Sequence, residues 1–165
     1  MTVSLLAAVL IHEAGHLAAA RLCGIPLRRG RGGFFGIRLS FDFSKSGFGR
    51  EAAVHLAGPV AGIGAALLSL PLSGDRAAVF APVSLSLSLL NLLPLPGFDG
   101  GGALCCLLRS LPCGEEWADR IAALAGWTAR IGLWLLAVRC ALTANPDAGL
   151  LLFTAAEIAG ARKEG

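Results

Sequence analysis

Two histidines and a glutamate lie close together near the start of the chain, as His12, Glu13 and His16. Residues four apart in an α-helix differ by roughly 40° around the axis and about 6 Å along it, so both imidazoles face one point. An H-E-x-x-H pattern on a helix is typical of a zinc site in which the glutamate serves as general base. Because ionisable side chains are costly inside an apolar segment, this group predicts a functional metal centre.

A catalytic zinc ion takes three protein ligands and leaves another position to water, so a further ligand must come from elsewhere. The candidates in apolar sequence are Asp99 and His55, followed by Glu157 and the thiols of Cys105 and Cys106. Asp99 is favoured because neighbouring prolines interrupt a helix and neighbouring glycines let the backbone bend and approach closely. These residues are Pro94, Pro96, Gly97, Gly100, Gly101 and Gly102.

His55 has a second interpretation, because it lies near the end of an apolar segment. A basic side chain in that position can simply reach the membrane interface. We favour this interpretation over a gating or auxiliary zinc role.

The elements that position these residues are predicted to be membrane helices. Of the 165 residues 55% are apolar and only 15% are charged, with a mean hydropathy of +0.70, whereas soluble proteins have roughly 25% charged residues. A helix needs about 20 apolar residues to cross the hydrocarbon layer. Four segments meet or approach that length, namely Thr2–Leu22, about Ala52–Leu72, about Ala77–Leu95 and about Ile121–Thr143. Two shorter apolar segments, Asp99–Leu108 and Ala148–Ile158, are expected to be interfacial or partly inserted.

The connection between the first two predicted spans is rich in basic residues and contains one alternating apolar segment. The basic residues, Arg28, Arg29, Arg31, Arg38, Lys45 and Arg50, predict a cytoplasmic loop by the positive-inside rule. Between Phe35 and Phe43 every second residue is apolar, which is the pattern of a strand. Such a strand must lie at the interface, pair with a second strand or line a watery cavity. The alternative is an ordinary amphipathic loop.

Other classes of protein are disfavoured by composition. A net charge of +3 without a basic surface interleaved with aromatic residues argues against a nucleic-acid partner. Five cysteines with no C-x-x-C spacing indicate neither a paired disulfide framework nor a cysteine zinc site, so we interpret them as reduced apolar residues. Because residues 1–11 carry no charged side chain, we expect this segment to stay in the membrane and not to be a cleaved signal peptide.

Two motifs together resemble the site-2 protease family of intramembrane zinc metalloproteases. They are the H-E-x-x-H of residues 12–16 and the N-L-L-P-L-P-G-F-D-G-G of residues 91–101, and Leu56-Ala57-Gly58-Pro59 is similar to a short element that opens the family's middle helix. The small size makes the chain most similar to the compact bacterial branch, which includes the processing protease of sporulation. One departure is Gly62, where the family often has asparagine.

This resemblance implies an all-helical polytopic membrane fold with a small membrane-associated β element. It implies that Asp99 is the third Zn²⁺ ligand, that Asn91 helps to orient the substrate backbone, and that the strand containing Gly36, Ile37, Arg38 and Leu39 borders the substrate entrance. One domain of residues 1–165 is expected, with a catalytic core at about 1–108 and accessory helices at about 115–161.

The implied activity is hydrolysis of peptide bonds in membrane-associated protein substrates, and a regulatory membrane protein is a further candidate partner. The expected location is the bacterial cell membrane, with the active site toward the cytoplasm. Two alternatives stay open at this point. One is a catalytically inactive homologue that binds transmembrane partners, against which the retained Glu13 argues. The other is a small transporter, against which the clustering of polar groups at one level argues.

Overall fold

The computed structural model of the protein describes residues 2–33, 36–72, 75–112 and 114–142. Within these residues the chain forms α1 (Thr2–Leu22), β1 (Leu27–Gly33), β2 (Gly36–Phe41), α2 (Phe48–Ser69), α3 (Asp75–Asn91), α4 (Asp99–Arg109) and α5 (Glu115–Leu142). Phe35, Glu157 and the predicted segment Ala148–Ile158 lie outside the described residues, as do the side chains of Ile37 and Arg38. The architecture is helical with one small antiparallel sheet, as predicted.

Helix α1 has the predicted bounds and carries a narrow buried stripe. The stripe consists of small or polar residues four apart, Ser4, Ala8, His12, His16 and Ala20. The other faces of α1 expose large apolar side chains, including Val3, Leu5, Leu6 and Leu10. A surface that is more apolar than the interior is the arrangement expected for a helix surrounded by lipid, where small residues mediate helix packing.

Helices α1 and α2 approach each other closely through glycine. A Cβ atom at Gly15 would lie 2.5 Å from the carbonyl oxygen of Ala57, and one at Gly58 would collide with the ring of His16. Pro59 lies inside α2 and has no N–H group for the carbonyl of His55, which interrupts the regular hydrogen bonding of this turn. Gly15 and His16 of the H-E-x-x-H motif and the A-G-P element therefore meet at one helix crossing.

Helix α3 packs on α2 through serine and glycine. Ser84 Oγ donates a hydrogen bond to the carbonyl oxygen of Gly62 at 2.9 Å, and a Cβ atom at residue 62 would collide with Ser88 Oγ. A side chain at position 62, where the resemblance suggests asparagine, would therefore require Ser88 to move.

Three of the described helices are long and apolar enough to cross a membrane: Thr2–Leu22, Phe48–Ser69 and Glu115–Arg139. The third predicted span is shorter, with its apolar part at Ala78–Asn91. Helix α3 ends at Asn91 and not at the predicted Leu95, because Pro94 and Pro96 cannot continue a helix. The last span begins before the predicted Ile121, directly after Gly114, whose positive φ of 84° ends the preceding turn.

The segment between α3 and α4 turns tightly before Asp99. Gly97 has a φ of 82°, a conformation that favours glycine. Cβ atoms at Gly100 and Gly101 would collide with the carbonyl oxygens of Leu92 and Leu95. Glycine therefore lets the start of α4 lie against the preceding turn, which places Asp99 in the first turn of that helix.

The predicted strand forms and pairs with a second strand, which was one of the three expected solutions. β1 and β2 are antiparallel, with Gly33 opposite Gly36 and an irregularity between Leu27 and Arg29. The strand ends at Phe41, before the predicted Phe43. Phe41 at the end of the strand and Phe43 just after it pack on a small core of Ala20, Ile25 and Val54, which ties the hairpin to α1 and α2.

Candidate metal centre

The structure brings His12, His16 and Asp99 together. His12 Nε2 lies 3.0 Å and His16 Nε2 3.2 Å from the same oxygen, Asp99 Oδ2. The two Nε2 atoms lie 3.2 Å from each other. Both histidines are buried, with 4% and 6% of their surfaces exposed. Three atoms that can each supply a lone pair thus converge on one point and could hold a metal ion.

The orientation of His16 is set by its other ring nitrogen. His16 Nδ1 lies 2.8 Å from the carbonyl oxygen of Val54. A carbonyl oxygen only accepts hydrogen bonds, so Nδ1 must carry the proton and the Nε2 of a neutral ring must carry the lone pair. A hydrogen bond of this kind is what fixes the tautomer of metal-binding histidines. Gly58 leaves room for the ring, because any Cβ there would collide with it.

Glu13 is half-buried beside this cluster. It follows His12 on α1, so its side chain is rotated by about 100° from His12 and does not join the same stripe. Its carboxylate interacts electrostatically with His16, His12 and Asp99. Glu13 is therefore adjacent to the three clustered side chains without being one of them.

The residues predicted to bind substrate lie in two places. Asn91 is the last residue of α3, where its side-chain amide donates a hydrogen bond to the carbonyl oxygen of Leu87 at 3.0 Å. Gly36, Ile37, Arg38 and Leu39 lie on β2, opposite residues Gly33, Gly32, Arg31 and Gly30 of β1. Among the described residues this sheet has two strands, so one edge of β2 is not paired with another strand.

A second group of possible ligands, Glu51, His55 and Cys106, was not recognised in the sequence. Its three ligand atoms lie within 4.8 Å of one another. The sequence offers His55 and Cys106 as candidate ligands of the first cluster and does not point to Glu51. The available signal was the spacing of Glu51 and His55, which are four residues apart and therefore lie on one face of a helix. The sequence could not show that Cys106 faces them from α4.

Comparison with known proteins identifies a solved structure with a similar fold. The solved structure of the site-2 protease from Methanocaldococcus jannaschii matches with a TM-score of 0.71 and 21% identity, over 98% of this chain and 76% of that chain. No family model and no curated protein matches the sequence. The fold of this chain is therefore that of a site-2 protease, which confirms the predicted resemblance at the level of fold. Together with the three apolar helices, it supports a polytopic membrane protein.

Proposed function

We propose that the protein is an intramembrane zinc endopeptidase that hydrolyses peptide bonds of membrane-associated protein substrates. His12, His16 and Asp99 would hold the Zn²⁺ ion, and Glu13 would be the general base. The observation that carries the proposal is the convergence of two imidazole nitrogens and a carboxylate oxygen, 3.0–3.2 Å apart, beside a glutamate and inside a site-2 protease fold.

The spacing of the three atoms fits zinc. Tetrahedral zinc with ligand bonds of roughly 2.0–2.1 Å places adjacent ligand atoms about 3.3 Å apart. The distances among His12 Nε2, His16 Nε2 and Asp99 Oδ2 are close to this value before any side chain moves. Two nitrogens and one oxygen also form a ligand set of catalytic zinc sites, which leave one position open.

Zinc bound there would polarise the scissile carbonyl and make water more acidic. The remaining steps belong to Glu13. Its carboxylate takes a proton from the attacking water as the new bond to the carbonyl carbon forms, and gives this proton to the amine nitrogen as the carbon–nitrogen bond breaks. Glu13 is free for this role because His12 and His16 on α1 and Asp99 on α4 would occupy the ligand positions.

The substrate is proposed to bind as an extended segment. A helical peptide keeps its carbonyl groups in its own hydrogen bonds, so it must unwind before the cluster can reach one of them. The unpaired edge of β2 can hold an extended segment by adding it as a strand. Asn91 is proposed to help orient the substrate backbone.

Co-expression with a panel of tagged membrane proteins tests the proposed activity. Glu13→Gln should lower cleavage by about 100- to 10,000-fold, the usual contribution of a general base. Glu116→Gln is the matched control, because the side chain of Glu116 is 91% exposed on α5. If the Glu13→Gln variant cleaved as fast as the parent, the protease proposal would be wrong. If neither protein cleaved any substrate yet both retained one of them, the inactive binding protein would be supported instead.

The basic loop and the metal cluster are proposed to face the cytoplasm of a bacterial cell. Lys45 is exposed in this loop and can be replaced by cysteine in a background without native thiols. An impermeant thiol reagent should modify Lys45→Cys in inverted vesicles and not in intact cells. Labelling from outside intact cells would reverse the orientation.

A further inference from the structure

We propose that Glu51, His55 and Cys106 form a second, separate site for a divalent metal ion of the zinc type. The three side chains come from two packed helices. Glu51 and His55 lie one turn apart on α2, and Cys106 faces them from α4. Their ligand atoms lie within 4.8 Å of one another, and Cys106 is buried. Nothing in the proposed peptidase chemistry uses this group.

The ring of His55 is held in place by its neighbours. It packs against Phe43 in a tilted arrangement, with ring centroids 5.6 Å apart and an angle of 34° between the planes. It also packs against Gly102, where a Cβ atom would lie 2.6 Å from the ring. Phe43 and α4 thus both restrict the imidazole, which is still partly exposed.

Glu51 and Cys106 face each other across the contact of α2 and α4, with the carboxylate oxygen and the thiol sulfur within 4.8 Å. Loss of the thiol proton on metal binding would leave two anions side by side, an arrangement that a divalent cation stabilises. A thiolate, an imidazole and a carboxylate are a ligand set that zinc accepts. Magnesium and calcium are disfavoured because they prefer oxygen ligands.

The second site adjoins the first without sharing its ligand atoms. Asp99 directs Oδ2 toward His12 and His16, while its other oxygen, Oδ1, lies 3.9 Å from His55 Nδ1. Glu51 and His55 are only half-buried, whereas His12 and His16 of the first group are buried, so the ligands of the second group are held less firmly. We therefore expect a weaker site that fills after the first.

Cobalt distinguishes the two sites, since a thiolate bound to Co²⁺ produces a charge-transfer band in the near ultraviolet and the first site has no thiolate. The detergent-purified full chain, freed of metal, is titrated with Co²⁺ alone. We expect two ions per chain, with the thiolate band appearing during the second half of the titration. Absence of the band at saturating Co²⁺ would overturn the proposal.

Variants assign the band to its ligands. Cys106→Ser should abolish the band while one Co²⁺ still binds, and Cys105→Ser, the matched control on the neighbouring residue, should keep it. Glu51→Gln should raise the Co²⁺ concentration at the midpoint by about 10-fold or more. Circular dichroism confirms that each variant is folded. A band that survives Cys106→Ser would place the thiolate elsewhere and refute the site.

The test also separates this proposal from the proposed function. Asp99→Ala removes a ligand of the first site only, so the thiolate band should persist in that variant. Loss of the band in Asp99→Ala as well as in Cys106→Ser would show one shared site and would overturn the claim of a separate one. Loss of peptidase activity in any variant has no bearing on the outcome.

Discussion

The two clusters of possible metal ligands are built in the same way but differ in how tightly they are assembled. Each takes two residues four apart from one long helix and a third from α4: His12 and His16 with Asp99, and Glu51 and His55 with Cys106. The two α4 residues are seven apart, so they lie on nearly the same face, separated by two turns. One short helix therefore completes both clusters.

The difference between the clusters lies in preorganisation. In the first, the ligand atoms are 3.0–3.2 Å apart and His16 is held by the Val54 carbonyl and by the space that Gly58 leaves. In the second, Glu51 and His55 are only half-buried, and Cys106 alone is buried. A site that is already assembled binds its ion without the cost of ordering its ligands. The first cluster should therefore bind a metal ion more tightly than the second, by more than the difference in ligand type alone would produce.

The largest change in metal affinity should come from removing a predicted ligand of the first cluster. Asp99→Ala and His12→Ala should each lower zinc affinity by more than about 100-fold, because even the loss of a group that only orients a ligand costs about 10- to 100-fold. Zinc content and affinity of the purified protein measure this. Asp119→Ala, an exposed acidic residue on α5, is the control. Zinc binding unchanged in Asp99→Ala would remove that residue from the ligand set.

A smaller effect is expected when the orienting contact is disturbed and all ligands remain. Gly58→Ala places a methyl group where the ring of His16 lies, so zinc affinity should fall by about 10- to 100-fold. Gly64→Ala on the same helix is a matched control, since the space around that Cβ is open. Equal zinc affinity in the two variants would mean that His16 relaxes freely and that the first cluster is less rigid than its contacts indicate.

The corresponding change in the second cluster should leave the first cluster intact. Gly102→Ala moves a methyl group against His55, so the midpoint for the thiolate–cobalt band should rise by about 10-fold. Zinc affinity of the first site should stay within error of the parent. Gly49→Ala, with open space around it, serves as the control. A parallel loss at both sites would show that the clusters are coupled through α4.

The smallest effect on metal binding is expected in the hairpin, outside both clusters. Ser40 lies on β2 opposite Arg29. Ser40→Pro removes a backbone donor and should reduce cleavage by roughly 10-fold, whereas Ser40→Ala keeps the donor and should cleave like the parent. Zinc content should be unchanged in both variants. Equal cleavage by all three proteins would indicate that substrate is held elsewhere.

Much of the first cluster could be predicted from local sequence. The helical spacing of His12 and His16 places both imidazoles on one side whatever the rest of the chain does. The bounds of α1, the helix break before Asp99 and the presence of a strand near Leu39 also follow from local patterns, namely apolar length, proline and glycine positions, and alternation, whereas the helix that begins at Asp99 was not predicted. The roles of His12, His16 and Asp99 as metal ligands and of β2 as a substrate-binding edge stay predictions.

The sequence by itself determined the helical membrane class, the imidazole pair and the break before Asp99, since each depends on residues within a few turns of one another. Only the tertiary structure decided that Asp99 meets His12, that the Val54 carbonyl orients His16, and that Cys106 lies near Glu51. These contacts join distant parts of the chain. They depend on how closely the helices approach, which glycines at the crossings set and which no periodic pattern encodes.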